Sequence, residues 1–220
     1  MAGLALFDLD DTLIDREAAF GSWARSFVAR HELGDGALDW LLEHDFAHSG
    51  MNREQFFSAL VARYPVLGEA DRLGTDFLVE LPTHLPPVGE DTFAALGRLR
   101  KARWKVAVVT NGSPHQYGKL EASGLLPLLD AWCISDEVGV RKPDRVIFEL
   151  AAERCGASLS DGWIVGDAPE ADIGGGRRVG LRTAWIHRGR RWPLCDFVPD
   201  ATVATPAEAV DGMLPQPAAL

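Results

Sequence analysis

The stretch Leu4-Ala5-Leu6-Phe7-Asp8-Leu9-Asp10-Asp11-Thr12-Leu13 decides how the chain is read. A short apolar run ends in three carboxylates within four positions. Periodicity alone does not separate a buried strand from a fragment of helix, but the shortness of the run and its abrupt polar end favour a strand. On that reading Asp8 and Asp10 project near the carboxyl end of a sheet strand, where open α/β sheets place their ligands. Two negative charges ~4 Å apart repel by about 4 kcal/mol at an effective dielectric near 20, so the cluster calls for compensation. A divalent cation is the usual compensation. Taken by itself the stretch also fits a strand followed by a solvated acidic turn, so the decision passes to the rest of the chain.

From Asp15 to about Leu81 the pattern is helical. Ala18, Ala19, Trp23, Phe27 and Val28 recur at helical spacing, with Arg16, Glu17, Arg25 and Arg30 between them. Further helices are expected over Leu38 to His48, from near Asn52 with Glu54 and Gln55 in the first turn, and over roughly Glu69 to Leu81. The aromatic residues here read as bundle core. The breaker-rich segment from Leu81 to Val88 reads as a hinge.

After it, helix and strand alternate. Helices are expected over Glu90 to Arg103, His115 to Ser123 and Pro143 to Cys155. Strands are expected over Lys105 to Thr110, Ala131 to Ser135, Trp163 to Asp167 and Thr183 to His187. A last helix is expected over Ala207 to Met213, with Gln216 to Leu220 frayed. Strands separated by helices build βαβ units and a parallel sheet. The fold class is therefore α/β: a mainly parallel, Rossmann-like sheet core flanked by helices, with an inserted α-helical cap domain. The expected core is 1–14 and 88–220, and the expected cap is 15–87. An insertion just beyond the acidic strand end is where a lid over a site would sit.

Composition narrows the function. At 220 residues, with 47% apolar and 25% charged residues, the chain has an ordinary globular make-up. A net charge of -10 and a pI near 5.0 argue against a nucleic-acid or anionic-membrane partner. No stretch approaches the ~18 apolar residues of a membrane span. The first apolar run lacks a basic leader and is broken by Asp8, so it does not read as a signal peptide. Cys133, Cys155 and Cys195 are scattered, which suggests reduced thiols and a cytoplasmic protein. A monomer or homodimer is expected, a point on which the sequence itself is silent.

Four predicted loops after strands carry suggestive polar groups. They are Asp8-x-Asp10; Thr110-Asn111-Gly112; Lys142 in Val140-Arg-Lys-Pro-Asp144; and Gly166-Asp167 with Asp172 five residues on. Thr110 and Asn111 offer hydrogen bonds suited to phosphate oxygens. Pro143 is suited to be a first helical residue, and a lysine beside a helix start wants an anion nearby. Each signal is weak singly. Together, and in this order, the set resembles the haloacid dehalogenase-like superfamily. That family pairs an Asp-x-Asp-x-Thr strand end with a strand ending in Thr or Ser, a distal Lys, and a Gly-Asp followed by a further Asp. The resemblance runs from Leu4 to about His187, and the helical insertion matches the family's helical-cap subgroup.

The resemblance implies a sheet in which the first strand lies between the second and the fourth-motif strand. It also implies that Asp8 is the nucleophile, forming an aspartyl-phosphate, and that Asp10 is the acid and base. Thr110, Asn111 and Lys142 would bind phosphate. Asp8, Asp10 (by its carbonyl), Asp167 and Asp172 would hold Mg²⁺. A second Asp at position 10 marks the family's phosphatases and phosphomutases and argues against carbon–halogen cleavage. The expected activity is a Mg²⁺-dependent phosphatase acting on a small phosphorylated metabolite. A sugar phosphomutase is the near alternative and a non-catalytic scaffold the remote one. Asp11 reads as a turn residue. His44, His48 and Arg53 sit near a cap loop as candidates for substrate contact, with solvated surface as the competing reading. Trp185, Trp192 and Arg188 to Arg191 read as surface and packing.

Overall fold

The computed structural model describes residues 3–47, 49–193 and 196–214. His48, Cys195 and the tail expected to fray lie outside the described residues. The chain divides into two compact units, one of Met1–Asp15 with Pro87–Leu220 and one of Arg16–Pro86.

Strand β1 is Leu4–Phe7, with every residue buried. A strand covered on both faces reads as an unbroken apolar run, which is why this one lacks alternation. In the helical unit, α1 spans Arg16–Arg30 and turns Ala19, Phe20, Trp23, Ala24 and Phe27 inward. Helix α2 covers Ala37–Glu43 and stops at His44, short of the expected end at His48. Asp45 is the cause: it turns inward, accepts the Ala47 N–H at 3.2 Å, and pairs with Arg16. Helix α3, Arg53–Arg63, starts with a capping box in which the Asn52 side chain accepts the Gln55 N–H and the Gln55 side chain accepts the Asn52 N–H. Helix α4 follows over Ala70–Glu80. Their shared core is aromatic, with Trp23 edge-on to Phe77 at 4.7 Å and Phe56 edge-on to Phe57 at 5.0 Å.

The larger unit continues with α5 (Glu90–Lys101), β2 (Lys105–Thr110), α6 (Gln116–Ala122), β3 (Ala131–Ile134), α7 (Ser135–Val138) and α8 (Arg145–Arg154). Then come β4 (Trp163–Gly166), a π-turn over Pro169–Gly174, α9 (Gly175–Arg178), β5 (Arg182–Ile186), β6 (Ala201–Val203) and α10 (Pro206–Met213). The sheet has six parallel strands in the order β3-β2-β1-β4-β5-β6. Leu6 of β1 lies opposite Ala107 on one side and Ile164 on the other. The order reverses between β1 and β4, and ligands bind beyond the carboxyl ends of strands at such a point. Asp130 fastens the other end of β2, accepting the Val106 N–H at 3.0 Å and Lys105 Nζ at 2.8 Å.

Three local expectations are corrected. Pro143 is not the first helical residue: Asp144 caps α8 by accepting the Val146 N–H at 2.9 Å, so the helix begins at Arg145. Ser135 opens the short helix α7 instead of ending β3. The edge strand β6 was not foreseen, being short and partly exposed. No described helix is long and apolar enough to cross a membrane.

Candidate active site

The strand ends place their polar residues around one point of the α/β unit. Asp8 follows β1 directly, and its N–H donates to Val165 O of β4 at 2.8 Å, which joins the two loops that carry carboxylates. The chain then turns at Asp11, whose φ of 58° puts it in the left-handed region, as a turn residue requires.

Lys142 is the hub. Its ammonium donates to Asp8 Oδ1 at 2.5 Å and lies 2.6 Å from Asp172 Oδ1, and all three residues are more than nine-tenths buried. The contact with Asp172 is an ion pair without hydrogen-bond geometry, so that buried oxygen has no hydrogen-bond donor. The other oxygen, Asp172 Oδ2, accepts the Ala168 N–H at 3.0 Å. Gly166 is required here, because a Cβ at that position would collide with the Asp172 carboxylate. One carboxylate oxygen each from Asp8, Asp167 and Asp172 lies within 4.8 Å of the others.

Three carboxylates against Lys142 and Arg190 leave an excess of negative charge. Burial pushes the Asp8 carboxyl well above its ordinary 3.8; Lys142 opposes this, and Asp172 and Asp167 add to it. Burial and Asp172 together raise Asp167 to about 6, against the pull of Arg190. Burial disfavours the Lys142 ammonium, but Asp172 and Asp8 outweigh that and keep it charged. The close oxygen set and the undonated Asp172 Oδ1 fit a small, hard divalent cation such as Mg²⁺.

Thr110 ends β2 and is buried. Its Oγ1 accepts Gln116 Nε2 at 2.8 Å. The Asn111 side chain faces the Lys142 backbone, accepting its N–H at 2.8 Å and donating to its carbonyl at 3.0 Å. That amide therefore locates Lys142. Asp10 is held from α6: Lys119 Nζ donates to its two oxygens at 2.7 and 2.8 Å, and Gln116 Nε2 donates to Oδ2 at 2.9 Å.

His44 and Arg53 lie in the helical unit. His44 Nδ1 donates to Trp40 O at 2.8 Å and its ring stacks on Trp40 at 4.4 Å, while Arg53 is exposed in the first turn of α3. His48 is outside the described residues. Three site residues escaped the sequence reading: Gln116, Lys119 and Arg190. The first two had a usable signal, a polar pair spaced i, i+3 just after Thr110-Asn111-Gly112. Arg190, expected at the surface, donates to Asp167 Oδ2 at 2.9 Å and to Asp167 O at 2.8 Å. Its neighbour Arg188 reaches Asp15 at 3.1 Å and Asp11 at 3.6 Å. Trp185 is buried and donates to Asp167 O at 2.9 Å.

This arrangement agrees with the family comparisons. The haloacid dehalogenase-like hydrolase model matches residues 3–180. The pyrimidine 5'-nucleotidase YjjG of Escherichia coli is 40% identical over 212 residues, covering 90% of this chain and 92% of that protein. A phosphoserine phosphatase of Thermus thermophilus is 32% identical over 198 residues, covering 86% of this chain and 76% of that protein. Among solved structures, the magnesium-bound HAD-hydrolase YfnB of Bacillus subtilis superposes with a TM-score of 0.76 at 25% identity, covering 96% of this chain and 98% of that one. The chain belongs to the haloacid dehalogenase-like hydrolase family.

Proposed function

We propose that the chain is a Mg²⁺-dependent phosphatase that hydrolyses a small phosphorylated metabolite through an aspartyl-phosphate on Asp8. The observation that carries this reading is the buried Lys142 ammonium shared by Asp8 and Asp172, with Asp167 beside them. It sets a carboxylate nucleophile in a fixed orientation next to positive charge, which is what phosphoryl transfer asks of a protein. The relatives named as a nucleotidase and a phosphoserine phosphatase support the same chemistry, and a nucleoside monophosphate heads the substrate panel to be tried.

Asp8, Asp167 and Asp172 would hold Mg²⁺ with the Asp10 carbonyl. When bound, the ion supplies positive charge beside the transferring phosphoryl group. An Asp8 oxygen attacks phosphorus, the bond from phosphorus to the leaving oxygen breaks, and Asp10 gives that oxygen a proton. Water then attacks the phosphorus, Asp10 takes its proton, and phosphate departs with Asp8 restored. Thr110 Oγ1 and Lys142 Nζ hold the phosphoryl oxygens, while Asn111 fixes Lys142. The helical unit is the proposed cap, with His44 and Arg53 as positions to probe for substrate contact. The buried thiols Cys133 and Cys155 suit a reducing compartment, which supports a cytoplasmic location.

The test is phosphate release from nucleoside monophosphates, phosphoserine, sugar phosphates and an aryl phosphate, with Mg²⁺ and with chelator. Activity is expected with the metal alone and lost in Asp8→Asn. Turnover that survives either the chelator or that substitution would sink the mechanism.

A further inference from the structure

Asp10 carries both proton transfers in the reading above, a role that asks for a carboxylate held in one direction. Two side chains that hold it come from α6. Lys119 and Gln116 are 7% and 5% exposed, unusual burial for a lysine and a glutamine. They stand three residues apart, so one face of the helix presents both. The ammonium of Lys119 straddles the two Asp10 oxygens at 2.7 and 2.8 Å. The single Gln116 amide nitrogen donates both to Asp10 Oδ2 at 2.9 Å and to Thr110 Oγ1 at 2.8 Å. The backbone before the helix makes room for this: a Cβ at Gly112 would come within 2.8 Å of Gln116 Cγ. A buried ammonium and amide are a costly way to fill space, and an apolar side chain would stabilise the fold as well or better.

We propose that Gln116 and Lys119 are positioning residues. They fix the Asp10 carboxylate in the direction from which it exchanges protons with the leaving oxygen and with water, and they couple it to the phosphate-binding hydroxyl of Thr110. The inference rests on the phosphatase reading and adds a second lysine to the chemistry, one that serves proton transfer where Lys142 serves the nucleophile. Proton transfer needs its donor within hydrogen-bond reach and correctly aimed. Release of the carboxylate therefore hurts most where the leaving oxygen most needs a proton.

The experiment compares kcat/KM for phenyl phosphate, a poor leaving group, with that for 4-nitrophenyl phosphate, a good one. This ratio reports the step in which the leaving group departs. Lys119→Met is expected to lower kcat/KM on phenyl phosphate about 100-fold and on 4-nitrophenyl phosphate by less than ~10-fold, in the range that general acid catalysis contributes. Lys119→Arg should recover part of the difference, and Gln116→Leu should show the same skew to a smaller degree. In an Asp10→Asn background Lys119→Met should change neither value further. Circular dichroism and thermal unfolding check that each variant folds, and if Lys119→Met does not, the Gln116→Leu skew decides. Equal losses on the two substrates, or none, would overturn the positioning role while leaving the phosphatase reading intact. A wild-type enzyme inactive on every phosphate ester in the panel would take both down.

Discussion

Both units bury charge, and they do so on opposite terms. In the helical unit Arg16 meets Asp45 one to one, with the guanidinium also 5.0 Å from the Phe20 ring and 4.9 Å from the Phe46 ring. That pair is neutral, with Arg16 Nη2 left against the aromatic core without an acceptor. In the α/β unit Asp8 and Asp172 share the buried Lys142 ammonium and Asp167 beside them pairs with the half-exposed Arg190, so three carboxylates meet two cations and the cluster is unbalanced. A balanced pair set in an aromatic core is a device for holding a shape. An unbalanced one leaves charge available for a ligand and a reaction, and the protein tolerates it because chemistry is done there.

Asp8→Asn should lower phosphate release about 10⁴-fold, or ~5.4 kcal/mol at 1.36 kcal/mol per decade, without lowering the thermal midpoint, since it relieves a like-charge cluster. A large loss of stability in that variant would make Asp8 a structural residue. Arg16→Met should show the reverse pattern. It leaves Asp45 buried without a partner and should cost about 3–5 kcal/mol in urea unfolding, while the double change Arg16→Met with Asp45→Leu restores most of it. A double variant no more stable than the single would mean that the loss does not come from an unpaired Asp45. Mg²⁺ at about 100 times its Kd should raise the unfolding free energy by ~2.7 kcal/mol. That gain should vanish in Asp167→Asn and persist in the Arg16→Met protein, both read by thermal shift.

The smallest effect lies at the other end of β2. Against the upward pull of its partial burial, hydrogen bonds from Lys105 and the Val106 N–H hold the Asp130 carboxyl below its ordinary 3.8. Its contribution is therefore complete above that value and lost as pH falls through the lowered one. Asp130→Asn keeps an oxygen for the Val106 N–H but loses the charge, and should cost up to about 1 kcal/mol at pH 7, with the gap from wild type closing in acid. A gap that stays constant down to pH 2 would assign the loss to something other than the charge.

The parts of the molecule that were legible in the sequence are those where one physical demand dominates. β1, β2 and β4 are buried on both faces, so their apolar runs and polar ends showed through, and the four polar loops followed from them. The start of α8 was misread because Pro143 offered a plausible first turn while Asp144 made the better cap. β6 hid because three partly exposed residues carry little pattern. Lys119 and Gln116 were passed over since a polar pair on a short helix ordinarily faces water, and only the third dimension brings Asp10 to it. Arg190 was missed for the same reason, lying far along the chain from the Asp167 that it pairs with. Arg16 reads as a polar residue between apolar positions because its partner Asp45 lies 29 positions away.

The reciprocal clasp between Asn111 and the Lys142 backbone bears on how the protein ages. Asn followed by Gly is prone to lose ammonia by ring closure, because the glycine nitrogen meets no Cβ on its way to the side-chain carbonyl. Here the side-chain amide is held at both ends by Lys142, and the Gly112 N–H is occupied by Ser135 Oγ at 3.0 Å. Folding thus shelters a bond that the open chain would expose. Chemical damage at Asn111 would leave a carboxylate with no N–H to offer the Lys142 carbonyl, loosening the lysine on which the cluster depends. The shelf life of the enzyme is in this way tied to how often that one loop opens.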